Sequence, residues 1–327
     1  MILAGDTGGT KTLLAVCNDD GSVVREAIFQ AAEFPSLEAC VEQFLGGDHP
    51  ALIGACFGVA GPVVGQTAKI TNLPWTIDAR VLSRAIGGAP VALLNDLQAT
   101  ALGALVVGPD KQSVLQRGEA PANATIAVIA PGTGLGEAML VHDGRRYVAL
   151  PSEGGHADFA PGTDEEIELL RFLRGKYGRH VSYERVLSGA GLGDLYDFAR
   201  ERSGTPAPRF LVEQMAAGDR NAVVAQVALA KGDPCCETAL AMFVELLGAE
   251  AGNLALRGLA TGGVVIGGGI PPKILPALQT DAFLTRFADK GRFATWCRSL
   301  CVRVVTEPKA ALYGAAHHVA TSKDQPS

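Results

Sequence analysis

The amino-acid sequence predicts an α/β protein whose interior is either one large core or two domain-sized cores. Its 327 residues, 48% of them hydrophobic, are enough to build either arrangement. Short apolar strands alternate with amphipathic helices over the first hundred residues. A strand, a glycine turn and a β-meander open the chain at Ile2, and the same succession begins again at Thr125. We therefore expect two variations on one architectural unit, repeated in architecture and not in residues.

The individual elements follow from local hydrophobic patterns and their capping residues. Ser36 and Asp78 each precede an apolar periodic segment, where a side-chain oxygen can accept a hydrogen bond from the first helical turn. The predicted strands cover residues 2–4, 13–17, 23–29, 52–59, 91–94, 125–130, 138–142, 146–150 and 264–266. The predicted helices cover residues 36–45, 78–86, 97–106, 238–256 and 309–319. Most of the remaining second half is expected to be helical, and the polar segment 321–327 is expected to be a disordered tail.

Composition excludes several classes of protein. The formal net charge of −6 and the absence of a Lys/Arg-rich run argue against a nucleic-acid partner. The N-terminus lacks a basic segment followed by an extended apolar one, and no uninterrupted apolar run reaches about 18 residues, so we expect no membrane association and a cytoplasmic location. Seven cysteines form an odd set without a C-x-x-C pair, which argues against a disulfide framework.

A glycine-rich turn follows the first strand. It consists of Gly5, Asp6, Thr7, Gly8, Gly9 and Thr10. Glycines let backbone N–H groups face a ligand and the threonine hydroxyls add donors, as in a phosphate-binding loop. A glycine-rich hairpin with Asp6 in the turn explains the same residues equally well. A Walker A loop is excluded because a strand follows and no glycine precedes Lys11.

Two further glycine turns follow strands in the second half. Gly132, Thr133 and Gly134 follow the strand at 125–130, and Gly268 and Gly269 follow the strand at 264–266. Open α/β sheets bind ligands at the carboxyl ends of their strands. Three glycine turns in such positions therefore indicate a nucleotide or phosphate site, although each turn alone is weak evidence.

Over nearly its whole length the sequence resembles the bacterial glucokinase family. In their order and spacing the matching segments are highly specific. They are residues 5–10, Leu94-Asn95-Asp96 followed by a helix, 132–136, 150–161, 184–189 and 267–270. Ser152 stands where the family often has glycine, and Pro131 precedes the second phosphate loop. The resemblance implies the actin-like (ribonuclease H-like) sugar kinase fold, with a duplicated mixed-sheet core and an inter-domain cleft.

By this resemblance, Asp96 is the catalytic base that accepts the proton of the sugar hydroxymethyl group. Phosphoryl transfer needs a positioned carboxylate, phosphate-facing donors and Mg²⁺. We expect an aspartate near its ordinary pKa of about 3.9, which is ionised at neutral pH without any shift. Local sequence alone favours a simpler interpretation, in which Asn95 and Asp96 open the following helix as an N-cap pair. The two roles are compatible.

The resemblance also assigns the sugar contacts to Asn95, Asp96, Glu153, His156 and Glu184. Carboxylates and amides make the directed hydrogen bonds that polyols require. A polar loop or a metal pair is the alternative for Glu153 and His156. A related group of sugar kinases binds zinc through a histidine and a following cysteine cluster, but no cysteine lies between positions 56 and 235, so we expect no structural zinc. Asp6 is the candidate to bind Mg²⁺ through water.

The implied reaction is the ATP-dependent phosphorylation of D-glucose to glucose 6-phosphate, the entry to glycolysis. Another hexose or an N-acylated amino sugar is the nearest alternative. A sugar-responsive regulator would need a helix-turn-helix, which we do not expect because the first strand begins at Ile2, and an actin-like ATPase would not explain residues 153–156. The resemblance suggests a homodimer. We expect a small domain of residues 1–108 with 309–320 and a large domain of residues 109–308.

Overall fold

The computed structural model describes residues 1–47, 50–70 and 73–322. Two compact units divide the chain. The first contains Met1–Gln112, Leu140–Pro151 and Glu307–Ser327, and the second contains Ser113–Met139 and Ser152–Thr306. Residues 140–151 thus group with the first unit, whereas we expected them in the large domain, and the expected domain boundaries stay a prediction. Within the predicted tail 321–327, residues 323–327 lie outside the described residues.

The described chain contains both strands and helices. The strands are β1 (Ile2–Thr7), β2 (Lys11–Cys17), β3 (Val23–Gln30), β4 (Gly54–Val59), β5 (Val63–Val64), β6 (Thr67–Lys69), β7 (Thr76–Asp78), β8 (Val91–Asn95), β9 (Gln112–Gln116), β10 (Ile126–Pro131), β11 (Leu135–His142), β12 (Tyr147–Ser152), β13 (Val264–Ile266) and β14 (Val302–Val305). The helices are α1 (Leu37–Leu45), α2 (Ala79–Ala85), α3 (Asp96–Val106), α4 (Asp164–Tyr177), α5 (Gly189–Ser203), α6 (Arg209–Ala217), α7 (Arg220–Leu229), α8 (Pro234–Arg257), α9 (Leu275–Leu278), α10 (Asp281–Ala288), α11 (Ala294–Ser299) and α12 (Ala310–Ala320).

The first unit is built on a five-stranded sheet in the order β3-β2-β1-β4-β8. β1 runs antiparallel to β2 and parallel to β4, and β4 runs parallel to β8. Side chains alternate between the two faces of β1, as the pleat requires. Leu3 joins the core on the face of α1, whereas Ile2 and Ala4 pack with Leu312 and Ala315 of α12 on the other face. Both faces of the central strands are therefore buried.

The predicted caps of the first unit are confirmed. The Ser36 hydroxyl accepts a hydrogen bond from the Ala39 N–H, and the Asp78 carboxylate accepts one from the Arg80 N–H. The sequence pattern did not predict the small antiparallel sheet β5-β6-β7, because two- and three-residue strands carry too few residues to show an alternation.

The second unit is built on a six-stranded sheet in the order β12-β11-β10-β13-β14-β9, with the outer part of the β11–β12 hairpin grouped in the first unit. β10 and β13 run parallel, with Ile129 opposite Ile266. The predicted strand at 264–266 is confirmed, whereas β14 lies in the part of the second half that we expected to be mostly helical. β9 lies in a segment for which no element was predicted.

The long helix α8 forms the centre of the second unit's core. Phe243, Leu247 and Ala251 are fully buried within it. Among the residues that the structure describes, α8 alone is long and apolar enough to cross a membrane, but 72% of its most apolar 18-residue window is buried inside the protein. The central helix of a folded core has the same length and composition, and the burial indicates that role for α8.

Candidate active site

Two carboxylates come together at the carboxyl ends of β1 and β8 in the first unit. Asp6 is opposite Gly58 of β4, and Gly58 is opposite Leu94 of β8, so that Asp96 follows directly at the same edge. A Cβ atom placed on Gly58 would lie 2.9 Å from the Ala99 Cβ and 3.9 Å from the Asp96 Cα. Glycine at position 58 therefore allows α3 to begin close to the sheet, which places Asp96 near Asp6.

Both aspartates have raised pKa values. Burial first, and the negative charge of Asp96 second, together raise the pKa of Asp6 to about 6. Asp96 is exposed to solvent, but the surrounding protein removes part of its hydration and so raises its pKa. Hydrogen bonds from backbone N–H groups lower the pKa and so oppose part of this rise. The expectation of an ordinary pKa for Asp96 is wrong, because local sequence cannot show how far the protein encloses the carboxylate.

Asn95 and Asp96 open α3 together, as the N-cap interpretation predicted. The Asn95 and Asp96 side-chain oxygens each lie 2.8 Å from the Leu97 nitrogen, which donates to them. Asn95 also donates through Nδ2 to the Gly61 carbonyl at 3.4 Å. Two short side chains are thus fixed against the backbone at the start of one helix.

Gln98 supports this pair and was missed by sequence reasoning. Its Oε1 accepts a hydrogen bond from the Asn95 N–H at 3.1 Å, completing a capping box, and its Nε2 donates to the Ala149 carbonyl at 2.8 Å. The spacing of Asn95 and Gln98 was a visible signal for the box. The contact with residue 149 had no such signal, because it joins positions 51 residues apart.

The first glycine turn is a tight hairpin between β1 and β2. The Gly8 N–H donates to the Lys11 carbonyl at 2.9 Å, Gly9 is half-buried and Thr10 is exposed. The Gly5 backbone is buried, and a Cβ there would lie 2.4 Å from Phe57. Thr7 is buried, and its hydroxyl has no hydrogen-bond partner among residues 1–47, 50–70 and 73–322. The hairpin interpretation therefore holds, and it leaves the turn at 8–10 available for a ligand.

The other two glycine turns lie side by side in the second unit. A Cβ on Gly132 would be 4.0 Å from the Gly269 nitrogen, and the Gly132 carbonyl accepts a hydrogen bond from the Gly189 N–H at 2.9 Å. Gly268 has a φ of +87°, and a Cβ there would lie 2.4 Å from the Pro131 carbonyl oxygen. The parallel pairing of β10 with β13 produces this convergence. Gly189, the first residue of α5, was not among the predicted site residues.

The three predicted sugar-binding residues of the second unit lie on two neighbouring segments. Glu153 and His156 are both exposed, with 3.9 Å between the Glu153 Oε2 and the His156 Nε2. The Tyr183 N–H donates to the Ala157 carbonyl at 3.0 Å, which ties the two segments together. The Glu184 carboxylate accepts a hydrogen bond from the Leu135 N–H at 3.0 Å. This bond fixes Glu184 next to the second glycine turn, where a Cβ on Gly134 would lie 2.5 Å from the Glu184 Oε2.

The structure also bears on the predicted metal chemistry. In the described part of the chain, no group of three or more His, Cys, Asp or Glu side chains is arranged to hold a metal ion. Any bound Mg²⁺ must therefore take most of its ligands from elsewhere, such as water and phosphate oxygens. The absence of structural zinc stays a prediction.

Comparison with known proteins identifies the family. The family model for glucokinase matches residues 3–322. A glucokinase of Nostoc punctiforme is 40% identical over 335 residues, covering 97% of this chain and 98% of the relative. The chain belongs to the glucokinase family. The resemblance inferred from the sequence motifs is thereby confirmed.

Solved structures show the same fold. A glucokinase from an Antarctic psychrotroph superposes with a TM-score of 0.86 at 32% identity, covering 97% of this chain and 98% of that one. A glucokinase of the ROK family from Streptomyces griseus, crystallised with glucose and AMPPNP, superposes with a TM-score of 0.62 at 20% identity, covering 96% and 97%. The predicted two-domain α/β sugar kinase fold of the actin-like class is confirmed.

Proposed function

We propose that this protein is a glucokinase, which transfers the γ-phosphoryl group of ATP to the 6-hydroxyl of D-glucose. The observation that carries the proposal is the placement of Asp96 beside Asp6, at the sheet edge where the glycine turn 8–10 also lies. A carboxylate base and backbone donors for phosphate are the parts that phosphoryl transfer requires. The family membership and the glucokinase names of relatives at 40% identity supply the substrate.

In this mechanism Asp96 accepts the proton of the attacking sugar hydroxyl. Its raised pKa suits the role, since a base is most effective when its pKa lies nearer the working pH. The capping bonds of Asn95 and Gln98 fix the start of α3, which limits the motion of the Asp96 carboxylate. Positioning of this kind supplies much of the rate of phosphoryl transfer.

ATP is the phosphoryl donor, consistent with the AMPPNP complex of the Streptomyces griseus glucokinase. We propose that the backbone N–H groups of the turn at 8–10, with the Thr7 and Thr10 hydroxyls, donate to phosphate oxygens. The Thr7 hydroxyl has no partner among the described residues, which supports this assignment. In the second unit we assign the nucleotide to Gly132, Thr133 and Gly134 with Gly268 and Gly269. Turns without side chains let a ligand approach the backbone closely.

Mg²⁺ fits the residues of the first unit. Asp6 and Asp96 lie close together, and burial first and the Asp96 charge second make ionisation of Asp6 costly; a cation would offset that cost. Asp6 would hold the ion through water, with the remaining ligands from ATP and solvent. When bound, Mg²⁺ neutralises charge on the transferring phosphoryl group.

We assign recognition of the sugar hydroxyls to Asn95, Glu153, His156 and Glu184. The Glu184 carboxylate keeps one oxygen on the Leu135 N–H, so its orientation is fixed before the sugar binds. Glu153 and His156 are exposed and near each other, which leaves both free to turn toward a ligand.

We further propose that the protein acts in the cytoplasm as a homodimer and without a nucleic-acid partner. Light scattering on the purified protein tests the dimer.

ADP release from the purified protein with Mg-ATP, measured across a panel of sugars and with no sugar, tests the proposed function. Glucose-dependent turnover that yields glucose 6-phosphate is the expected result. Turnover confined to another hexose or to an N-acylated amino sugar would correct the substrate and keep the chemistry. ATP hydrolysis indifferent to every sugar, or no turnover at all, would contradict the proposal and favour an ATPase or a sugar-sensing protein.

A further inference from the structure

A buried carboxyl group lies directly beneath the turn that carries Glu153 and His156. Glu137 of β11 is 1% exposed. A Cβ placed on Gly154 would lie 2.1 Å from the Glu137 Oε2, and one on Gly155 would lie 2.2 Å from the Leu135 carbonyl oxygen. The two glycines are thus explained by close packing against β11, and the Glu137 carboxyl group fills the space that a side chain at position 154 would take.

Glu137 lacks the partners that a buried negative charge needs. Neither of its oxygens accepts a hydrogen bond from any residue in the described part of the chain. The Arg257 Nη1 is 4.0 Å from Glu137 but donates to Glu250 at 2.6 Å. Glu250, which is fully buried, lies next to Glu137, and burial together with the Glu250 charge raises the pKa of Glu137 to about 8. At neutral pH Glu137 therefore keeps its proton, and as a neutral acid it can donate to the Glu250 carboxylate.

The same network reaches the segment that carries Glu184. The Asn253 Nδ2 donates to the Glu250 Oε2 at 2.9 Å and to the Tyr183 hydroxyl at 3.1 Å. Tyr183 immediately precedes Glu184. Glu250 is therefore the common partner of two branches, one ending at Glu137 under the Gly154 turn and the other at Tyr183 beside Glu184.

We propose that Glu137 is a positioning residue for the sugar. As a neutral acid that donates to Glu250, it supports the Gly154 turn and so fixes where Glu153 and His156 meet the hexose hydroxyls. The inference rests on the proposed function, because it assumes that these two residues contact the sugar. Glu137 itself does not touch the substrate, and its effect is confined to sugar binding.

A dependence on alkaline pH follows. When Glu137 loses its proton, a second negative charge faces Glu250 beside Arg257, and the hydrogen bond between the two acids is lost. Tyr183 and Lys290 also face this network, the pKa of Tyr183 being raised and that of Lys290 lowered by burial. Replacing Glu137 by glutamine separates its own titration from theirs, because glutamine keeps the shape and a donor but cannot ionise.

The test uses the full-length protein and compares Glu137→Gln and Glu137→Ala with the parent. Asp194→Asn is the matched control, since Asp194 is a buried acid of the same unit that pairs with Lys176 away from the Gly154 turn. For each protein we would measure kcat and the KM values for glucose and ATP at pH 7 and pH 9, with the melting temperature as a check on folding.

We expect Glu137→Ala to raise the glucose KM about tenfold, the effect of losing the Glu137 hydrogen bond to Glu250 and its support of the Gly154 turn, while kcat and the ATP KM stay within about twofold. Glu137→Gln should match the parent at pH 7 and keep its low glucose KM at pH 9, where the KM of the parent and of Asp194→Asn should both rise several-fold.

Two results would overturn the inference alone: an unchanged glucose KM in a folded Glu137→Ala protein, or the same pH profile for the parent and Glu137→Gln. The second comparison stands even where the alanine variant fails to fold. A parent protein without glucose-dependent turnover would overturn the proposed function and this inference together.

Discussion

Replacing Asp6 by asparagine should stabilise the protein in a way that depends on pH. Burial and the Asp96 charge raise the pKa of Asp6 from 3.8 to about 6 in the folded state. Below about pH 4 the carboxyl group is protonated in both the folded and the unfolded chain, and no penalty exists. Between pH 4 and pH 6 only the unfolded chain loses its proton, so the free energy of unfolding falls as pH rises. At pH 7 the loss amounts to about 3 kcal/mol.

Urea unfolding of the parent and of Asp6→Asn measures this pH-dependent loss of stability. The unfolding curves are recorded at pH values from 4 to 8, with EDTA and without nucleotide. The difference in free energy of unfolding between the two proteins should increase by about 2 to 3 kcal/mol from pH 4 to pH 7 and stay nearly constant above that pH. The substitution should also lower turnover, because it removes the proposed Mg²⁺ contact. A difference in stability that does not change with pH would refute the account of a buried carboxylate pair.

Three further substitutions test the geometry of the site. Gly58→Ala should cost about 1–3 kcal/mol of stability and lower kcat at least about tenfold, because the new methyl group displaces α3 and Asp96. Unfolding and kinetic assays measure both effects, with Gly47→Ala as the control because nothing lies within 4 Å of a Cβ at position 47. Gly268→Ala should raise the ATP KM and lower the melting temperature, because residue 268 has a φ of +87° and its new Cβ would lie 2.4 Å from a carbonyl oxygen. The control Gly175→Ala in α4 should leave nucleotide binding unchanged, and equal ATP KM values for the two variants would argue against a nucleotide loop at 268. Gln98→Ala should cost about 1 kcal/mol through the lost cap and reduce kcat more than the glucose KM, and kinetics with the reverse pattern would remove Gln98 from the positioning of Asp96.

Much of the fold could be predicted because it depends on local patterns. The strands β1, β8 and β13 and the helices α1, α2 and α3 lie within a few residues of the predicted spans, since each has a clear hydrophobic period and a recognisable cap. The elements that were missed are short, as in β5 to β7, or are fixed by pairing with a distant strand, as β9 is with β14. Such strands depend on their neighbours in space more than on their own residues.

The candidate site was predicted as a set of residues and not as an arrangement. Asn95 with Asp96 and the glycine turns could be selected by motif and family resemblance. Nothing in the sequence indicated that Gly58 would bring Asp96 close to Asp6, or that burial and the Asp96 charge would raise the pKa of Asp6. The role of Glu137 could not be predicted for the same reason, because a buried acid is recognised only from the groups that surround it.

The rate of glucose phosphorylation by an Asp96→Asn variant tests the central claim most directly. Asparagine keeps a side-chain oxygen for the Leu97 N–H but cannot accept the proton of the sugar hydroxyl. Its kcat should fall by about 10² to 10⁴, the usual contribution of a general base, while glucose affinity measured by calorimetry stays within about tenfold of the parent. A folded variant that binds glucose and retains a kcat within a few-fold of the parent would show that Asp96 is not the base.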